Sequence, residues 1–335
     1  MTSSPAQRVA EQVLAARASG TTLAIRGHAS KRALLGERRA DAVLDMRACS
    51  GVLSYRPDEL VITVRAGTPL KELEAVLAER RQHIAPGIPL LEGQGTVGGA
   101  VAAGLSGPSR PWRGSLRDVI LGVEMVNGLG ERLRFGGEVF KNVAGFDVAR
   151  LVTGSEGAFG ALLSVSLRVA PVPECTRCLV VEMPATPALT WMRRRAAEPH
   201  PFGGLCWLEG RLHCRLDGAA QAVADFTGEP GMVEEDPAFW TQLRDAALPF
   251  LAGWSGLWRC AVPPATPPDE QTVCIDWAGA LRWRRGSINT VGESCPVGSS
   301  PLALGACDGL LSRLKAAFDP DHLFNPELMR ADAPA

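Results

Sequence analysis

Three stretches of this chain combine glycine with small polar or basic residues in spacings that suit contact with an anion. The longest, Lys141 to Gly160, reads KNVAGFDVARLVTGSEGAFG, with Lys141 and Asn142 at its head, Gly154, Gly157 and Gly160 at every third position, and Glu156 among them. The second is Arg26, Gly27, His28, Ala29, Ser30, Lys31, directly after the strand-like Thr22 to Ile25. The third is Gly95, Thr96, Val97, Gly98, Gly99, Ala100, which opens a small-residue run through Ala102 to Gly104. Glycine lacks a Cβ and accepts positive φ, so another molecule can come within van der Waals reach of the main chain. Unpaired N–H groups at a helix start, or in a nest of turn residues, point at a negative ligand. The chemistry expected is the cradling of a phosphate rather than the making of a bond. Neither of the two upstream clusters is the G-x-G-x-x-G of a dinucleotide fold or the G-x-x-x-x-G-K-[ST] of a P-loop, and each taken alone could be turn chemistry.

The elements that must position these stretches are legible in outline. Ser4 and Pro5 open a helix through Val9 and Val13 that Gly20 closes. Leu60 to Arg65 reads as a strand, and Thr68 and Pro69 cap a helix with Leu70, Leu73 and Leu77 on one face. A hairpin turn is expected across Asn127 to Gly130. Around the longest glycine stretch, Phe146, Val148, Leu151 and Val152 are expected to pack on a core, while Asp147 and Arg150 pair on one helical face. Leu163, Val165, Leu167 and Val169 alternate with Ser164, Ser166 and Arg168, the period of a half-buried strand. The pattern restarts after Pro171 and Pro173. Strands are expected at Leu179 to Met183, Leu205 to Leu208 and Val273 to Trp277, and helices near Ala188 to Ala197 and Pro237 to Leu248, the latter capped by Asp236. A loop follows at Pro263 to Pro268, and a helix from Leu302 to Phe318 returns toward the first part. The expected class is α+β, divided as 1–173, a small α+β cap over 174–300, and a returning segment over 301–335.

Composition excludes several functions. The 335 residues are 46% hydrophobic and 21% charged with a formal net charge of −1, which leaves no basic footprint for nucleic acid. Lys31, Lys71, Lys141 and Lys315 are the only lysines. The longest uncharged run, Ala246 to Trp258, is too short for a membrane span, and its Phe250, Trp254 and Trp258 suit a core or an interface. The start of the chain does not read as a signal peptide, so a cytoplasmic location is expected. Nine cysteines include one C-x-x-C, Cys175 and Cys178, whose expected role is strand-end packing. His28, His83, His200, His213 and His322 show no ligand spacing, and no metal site is expected.

Together the motifs resemble the flavoprotein superfamily of vanillyl-alcohol oxidase type, with its PCMH-type FAD-binding domain, and within it the small FAD-binding subunits of glycolate dehydrogenase. The likeness is close over Leu23 to Pro171. Arg26 to Lys31 correspond to that family's R-G-G-G-S-K loop, and Thr96 to Ala102 to its T-[IV]-G-G-x-[IV]-A. Ser106, Gly107, Pro108 and Arg110, followed by Gly114, Arg117, Asp118, Ile120, Leu121 and Gly122, match S-G-P-x-R and G-x-x-R-D-x-[IV]-L-G. Lys141 to Gly160 match K-N-x-[AT]-G-[YF]-D and L-x-x-G-S-E-G-x-[LF]-G.

The resemblance implies noncovalent FAD in a cleft between two α+β halves, its diphosphate on Arg26 to Lys31 and Thr96 to Gly99, its ring facing the C-terminal part. It implies a subunit that supports glycolate or another 2-hydroxyacid oxidation, passing electrons toward an iron–sulfur subunit beside a homologous larger FAD subunit. By that likeness the complex would sit in the cytoplasm or at the inner face of the membrane. Two departures stand out. His28 and Ala29 replace two glycines of the first loop, and the terminal F-D-P-x-x-x-F-N-P-G-R pattern keeps Phe318, Asp319, Pro320, Phe324, Asn325 and Pro326 but continues Glu327, Leu328. A histidine carries FAD covalently in one branch of this fold, but His28 stands one or two positions early for it. No catalytic residue is marked, and the cap is expected to lack acid–base groups. A self-contained FAD oxidoreductase and a structural subunit without working flavin are the alternatives.

Overall fold

The structure is a computed structural model, and it describes residues 4–137, 146–251, 256–286, 294–297, 299, 302 and 309–329. The first helix, Pro5–Ser19, begins with Ser4 Oγ accepting the Gln7 N–H at 3.2 Å and ends at Gly20, whose φ of 67° only glycine adopts without strain. Its buried valines, Val9 and Val13, pack with Leu23, Leu44 and Phe324. Beneath it the strand Leu23–Arg26 runs parallel to Ala42–Asp45, and Phe324 from the far end of the chain bridges to Leu23. This small layer is one half of the N-terminal part.

The other half is a five-stranded antiparallel sheet in the order Val52–Arg56, Val61–Arg65, Ala161–Arg168, Ile120–Val126, Arg132–Gly136. The alternation read at Leu163 to Val169 predicted a half-buried strand, yet Ala161–Arg168 is buried at every residue but the last. It is the central strand: Leu163 faces the core under the first helix, while Leu162, Val165 and Leu167 face the main core. The serines survive burial because they have partners, Ser166 with Thr63 at 2.9 Å and Ser164 donating to Glu124 at 3.5 Å. Helix Leu70–Ala78 buries Leu70, Leu73 and Leu77 as expected, but Thr68 does not cap it. Its hydroxyl instead accepts the Gly51 N–H at 3.0 Å. The hairpin at Asn127 to Gly130 is present, with Asn127 Oδ1 accepting the N–H groups of Leu129 and Glu131. Phe146, expected in a core, is 96% exposed because it precedes the N-cap Asp147 and so lies off the helix face. The Asp147–Arg150 pair forms at 3.3 Å on the surface.

The second part is larger in its sheet than the sequence suggested. Eight antiparallel strands lie in the order Val233–Glu234, Cys175–Glu182, Arg211–Gly218, Phe202–Leu208, Thr272–Asp276, Leu281–Arg285, Leu257–Ala261, Ser294–Pro296. One face packs under helix Ala185–Ala196 through Leu205, Leu212, Leu216 and Met192; the other carries Trp240, Phe250, Trp277 and Trp283. Cys175 and Cys178 share one strand, and three residues along a strand turn side chains to opposite faces, so the two pack in different cores. The helix expected from Pro237 to Leu248 is the shorter Ala238–Arg244, with Asp236 accepting the Ala238 N–H at 2.8 Å. Helix Gly309–Phe318 then returns the chain to the N-terminal core, where Leu328 and Met329 are buried.

Candidate functional site

The loop after Leu23–Arg26 gathers backbone donors that could hold an anion. Ala29 takes φ 54°, the left-handed conformation that turns successive N–H groups inward, and among the described residues no protein acceptor takes the backbone N–H groups of residues 27 to 31. His28 Nδ1 is buried there without a partner, and Ser30 is 2% exposed. The Lys31 ammonium lies 3.4 Å from Ser30 Oγ; burial pushes its pKa down to about 8 against the opposing pull of Asp245. An anion in this loop would restore the charge that burial disfavours. Gly27 to Lys31 line a cavity of about 130 Å³ with Arg26, Thr96, Gly99, Ala102 and Glu156. Through Gly27, Thr96, Gly99, Ala102 and Glu156 it continues into a second of about 70 Å³ that reaches Gly98, Gly157 and Gly160. The result is one groove between the two N-terminal halves.

The second glycine cluster serves that groove differently from expectation. Helix Val97–Ala103 does not present free donors: Val97 N–H goes to Thr68 O at 2.9 Å, Gly98 N–H to Ala66 O at 2.7 Å, and Gly99 N–H to Thr96 Oγ1 at 3.1 Å. Here the small residues permit close packing instead. A Cβ on Gly27 would stand 2.3 Å from Thr96 Oγ1, and one on Gly98 2.7 Å from Ala66 Cβ. Val97 is fully buried in the core, and Gly95 lies against Lys31 and Leu70.

Glu156 reaches the groove at φ 53°, but its carboxylate is bound by Arg38, a residue that no motif marked. Arg38 lines the same cavity. Gly154 packs on Gly104 rather than on the groove. Gly114, Arg117 and Asp118 do not line it either, because Asp118 forms a capping box with Ser115 and Gly114 turns around it. Lys141 and Asn142 lie outside the described residues.

The wall at residues 156–160 is held from behind by the tail. Lys315, fully buried, donates to Asp319 Oδ2 at 2.6 Å, to Ala158 O at 2.8 Å and to Phe324 O at 2.9 Å. Asp319 in turn accepts from Leu323 and Phe324 N–H. Asn325 donates to Glu156 O at 2.7 Å and accepts from Ile25 N–H at 3.2 Å, joining both walls. The F-D-P and F-N-P motifs are thus a clamp, and Lys315 is its unrecognised centre.

The two parts of the chain meet around Trp277. Its Nε1–H donates to Gly107 O at 3.0 Å, and Arg110 and Arg259 stack on the ring at 4.5 and 5.1 Å. Beside it Asp276 is 4% exposed; burial pushes its carboxyl up to about 7, opposed by the Trp277 N–H and Arg259. The cap therefore holds a buried acid that titrates near neutrality, one that the sequence did not mark. Sequence offered only one faint signal, an Asp-Trp pair closing an apolar strand. A larger cavity of about 430 Å³ lies between helix Leu70–Ala78 and the eight-stranded sheet. Of the arginines that line it, Arg113 donates to Asp217 O, Arg215 to Asp217 Oδ1 and Arg244 to Asp245 Oδ1. Among the described residues no cluster of three His, Cys, Asp or Glu could hold a metal ion, and no helix is long and apolar enough to cross a membrane.

Comparison with known proteins places this geometry. Residues 4–136 match the FAD binding domain family. The chain is 38% identical over 298 residues to glycolate oxidase subunit GlcE of Escherichia coli (strain K12), spanning 83% of this chain and 84% of that protein. Glycolate oxidase subunit GlcD of Bacillus subtilis (strain 168) is 35% identical over 85 residues, 25% of this chain and 18% of that one. A solved alkyldihydroxyacetonephosphate synthase superposes with a TM-score of 0.65 at 15% identity over 96% of this chain and 74% of its own, a likeness of fold alone. With residues 4–136 matching an FAD binding domain and 83% of its length matching one relative at 38% identity, the chain belongs to the family of glycolate oxidase subunit GlcE.

Proposed function

We propose that this chain is the FAD-binding subunit of a glycolate (2-hydroxyacid) dehydrogenase complex. The observation that carries it is the first loop, where unpaired N–H groups of residues 27 to 31 converge with Lys31 at the head of a groove. That donor set fits a diphosphate, and Gly27, Thr96, Gly98, Gly99, Gly157 and Gly160 leave room for a cofactor along the cleft. When bound, FAD supplies the acceptor for a hydride or electrons by its own chemistry. The chain supplies the rest: Lys31 and the loop N–H groups orient the diphosphate, Arg38 keeps Glu156 from repelling it, and the tail clamp holds the facing wall. Attachment is noncovalent in this reading, as the family resemblance implies.

The same reading divides the chain into an FAD-binding domain over 1–173, a cap over 174–300 and a returning segment over 301–335, in keeping with one sheet set before residue 171 and one after 175. It places a homologous larger FAD subunit and an iron–sulfur subunit beside it, with electrons passing through flavin toward the latter, in the cytoplasm or peripherally at the membrane's inner face. The test is direct. The purified chain should show the visible absorption of flavin in equimolar amount, released by denaturation. Protein that folds and shows no flavin absorption after incubation with FAD overturns the reading.

A further inference from the structure

The cavity of about 430 Å³ between helix Leu70–Ala78 and the eight-stranded sheet shares no lining residue with the groove that the flavin reading fills. Its walls grade from apolar to basic. Leu73, Leu77, Ile84 and Ile88 are buried and close the floor, whereas Arg113, Arg215 and Arg244 are half-buried and Arg81 is exposed at the rim. The mouth is set by a short strand pair, Gln82–His83 with Ala170–Pro171, after which the Val172 N–H donates to Arg81 O at 2.8 Å. Arg81 holds a left-handed φ of 51°, and Val172 is 44% exposed, so a cation and an apolar side chain share that edge. In the wall, Trp240 is 2% exposed and its Nε1–H is buried without an acceptor. A Cβ on Gly204 would stand 2.4 Å from its Cζ3 and 2.9 Å from its Cε3, so the benzo edge lies on the sheet and the Nε1 edge faces away from that strand. A buried donor left unpaired is costly, so this one marks a place for an acceptor that the described residues do not provide.

Strand register gathers charged groups around that donor. Gly204, under the indole, pairs with Arg215, and Asp217 lies two residues on along the same face. Arg215 is matched by Asp217 at 3.0 Å, and Arg244 by Asp245 at 2.7 Å and Glu74 at 3.5 Å. Arg113 donates to the Asp217 carbonyl at 2.8 Å, which takes up one N–H and leaves the charge without a carboxylate; among the described residues none pairs with Arg81 either. Three carboxylates against four guanidiniums leave one positive charge, which a monoanion balances and a dianion oversteps. We propose that this cavity binds an amphipathic monoanion, a carboxylate on an unbranched aliphatic chain of medium length. The carboxylate accepts from Arg113 and from Trp240 Nε1–H, the chain lies over the floor, and Arg81 at the mouth adds to the attraction. A floor of branched aliphatic side chains suits a flexible chain better than a flat ring, and an acid as short as acetate would leave it uncovered.

The experiment is calorimetric titration of butanoate, hexanoate and octanoate into the full chain at neutral pH, with octanol as the uncharged control. Saturable binding is expected, tightening about threefold to fourfold for each methylene buried. Octanol should bind about tenfold more weakly than octanoate, because it forgoes the charge-assisted contact. Arg113→Gln should bring octanoate down to the level of octanol, and Trp240→Phe should weaken it about fivefold. Val172→Asp changes an exposed position at the mouth, so it should weaken octanoate about threefold by like charge while circular dichroism stays that of the parent. No saturation at millimolar octanoate, affinity independent of chain length, octanol binding as tightly as octanoate, or affinity unchanged in both Arg113→Gln and Val172→Asp overturns the site. Binding that follows chain length and Arg113 supports it whether or not the chain carries flavin, because neither wall belongs to the groove.

Discussion

The groove at Arg26 to Lys31 and a small cavity of about 40 Å³ between the two parts of the chain, lined by Arg259, Asp276 and Trp283, both set polar side chains around open space, yet they are made in opposite ways. In the groove one short loop supplies the charge, the free N–H groups and the left-handed turn, all within six residues. In the cavity each group comes from a different strand, Arg259 from Leu257–Ala261, Asp276 from the end of Thr272–Asp276, Trp283 from Leu281–Arg285, facing a loop more than a hundred residues earlier. A site carried by local backbone conformation leaves a motif. One assembled by strand register leaves scattered residues whose meaning depends on pairing.

The groove's weakest point should be the clamp behind it rather than the loop in front. Lys315→Ala leaves the buried Asp319 without its counter-ion, with only the N–H groups of Leu323 and Phe324 as partners, and a loss of about 3–5 kcal/mol in denaturant unfolding is expected; a change under about 1 kcal/mol would mean the tail contributes little to that wall. Gly98→Val drives a branched side chain against Ala66 and should cost most of the flavin occupancy while the cap sheet keeps its circular dichroism. Normal occupancy would break the assignment of the second cluster to the groove.

On the cavity side, Asp276→Asn keeps the shape and removes the titration. The native carboxyl holds its proton up to about pH 7, whereas its ordinary value is 3.8, so native stability falls as pH rises between these values and the penalty is complete above 7. The substitution should therefore stabilise by a few kcal/mol at pH 8 and much less at pH 5, read from thermal unfolding at both. Equal effects at the two pH values would show that Asp276 is not buried as described. The smallest effect is expected from Lys31→Met. FAD affinity should drop about tenfold near neutrality, and the decline of parent affinity above pH 8, where Lys31 loses its proton, should vanish in the variant. A decline that persists would assign the pH dependence to another group.

Much of the first region was readable because its signals are local. Proline and glycine bracket the helix Pro5–Ser19, apolar spacing sets Leu70, Leu73 and Leu77 inward, and the asparagine turn closes the hairpin. Reading failed where a neighbour decided. Ser164 and Ser166 imply an exposed face until Thr63 and Glu124 are brought opposite them, and the donors of helix Val97–Ala103 look free until residues 66 and 68 take them. Phe146 reads as core because its position relative to the N-cap is not written in hydrophobicity.

Sequence alone, through ordered motifs that resemble a known family, determined the flavoprotein fold, and it marked the glycine-rich loop at Arg26 to Lys31 and the closing F-D-P and F-N-P motifs, since those motifs depend on φ preferences and spacing within a few residues. Tertiary structure alone decided that Arg38 neutralises Glu156, that Lys315 carries the clamp, and that Arg259, Asp276 and Trp283 share one cavity. Those outcomes depend on burial and on strand register, and an isolated side chain carries neither until the sheet has formed around it.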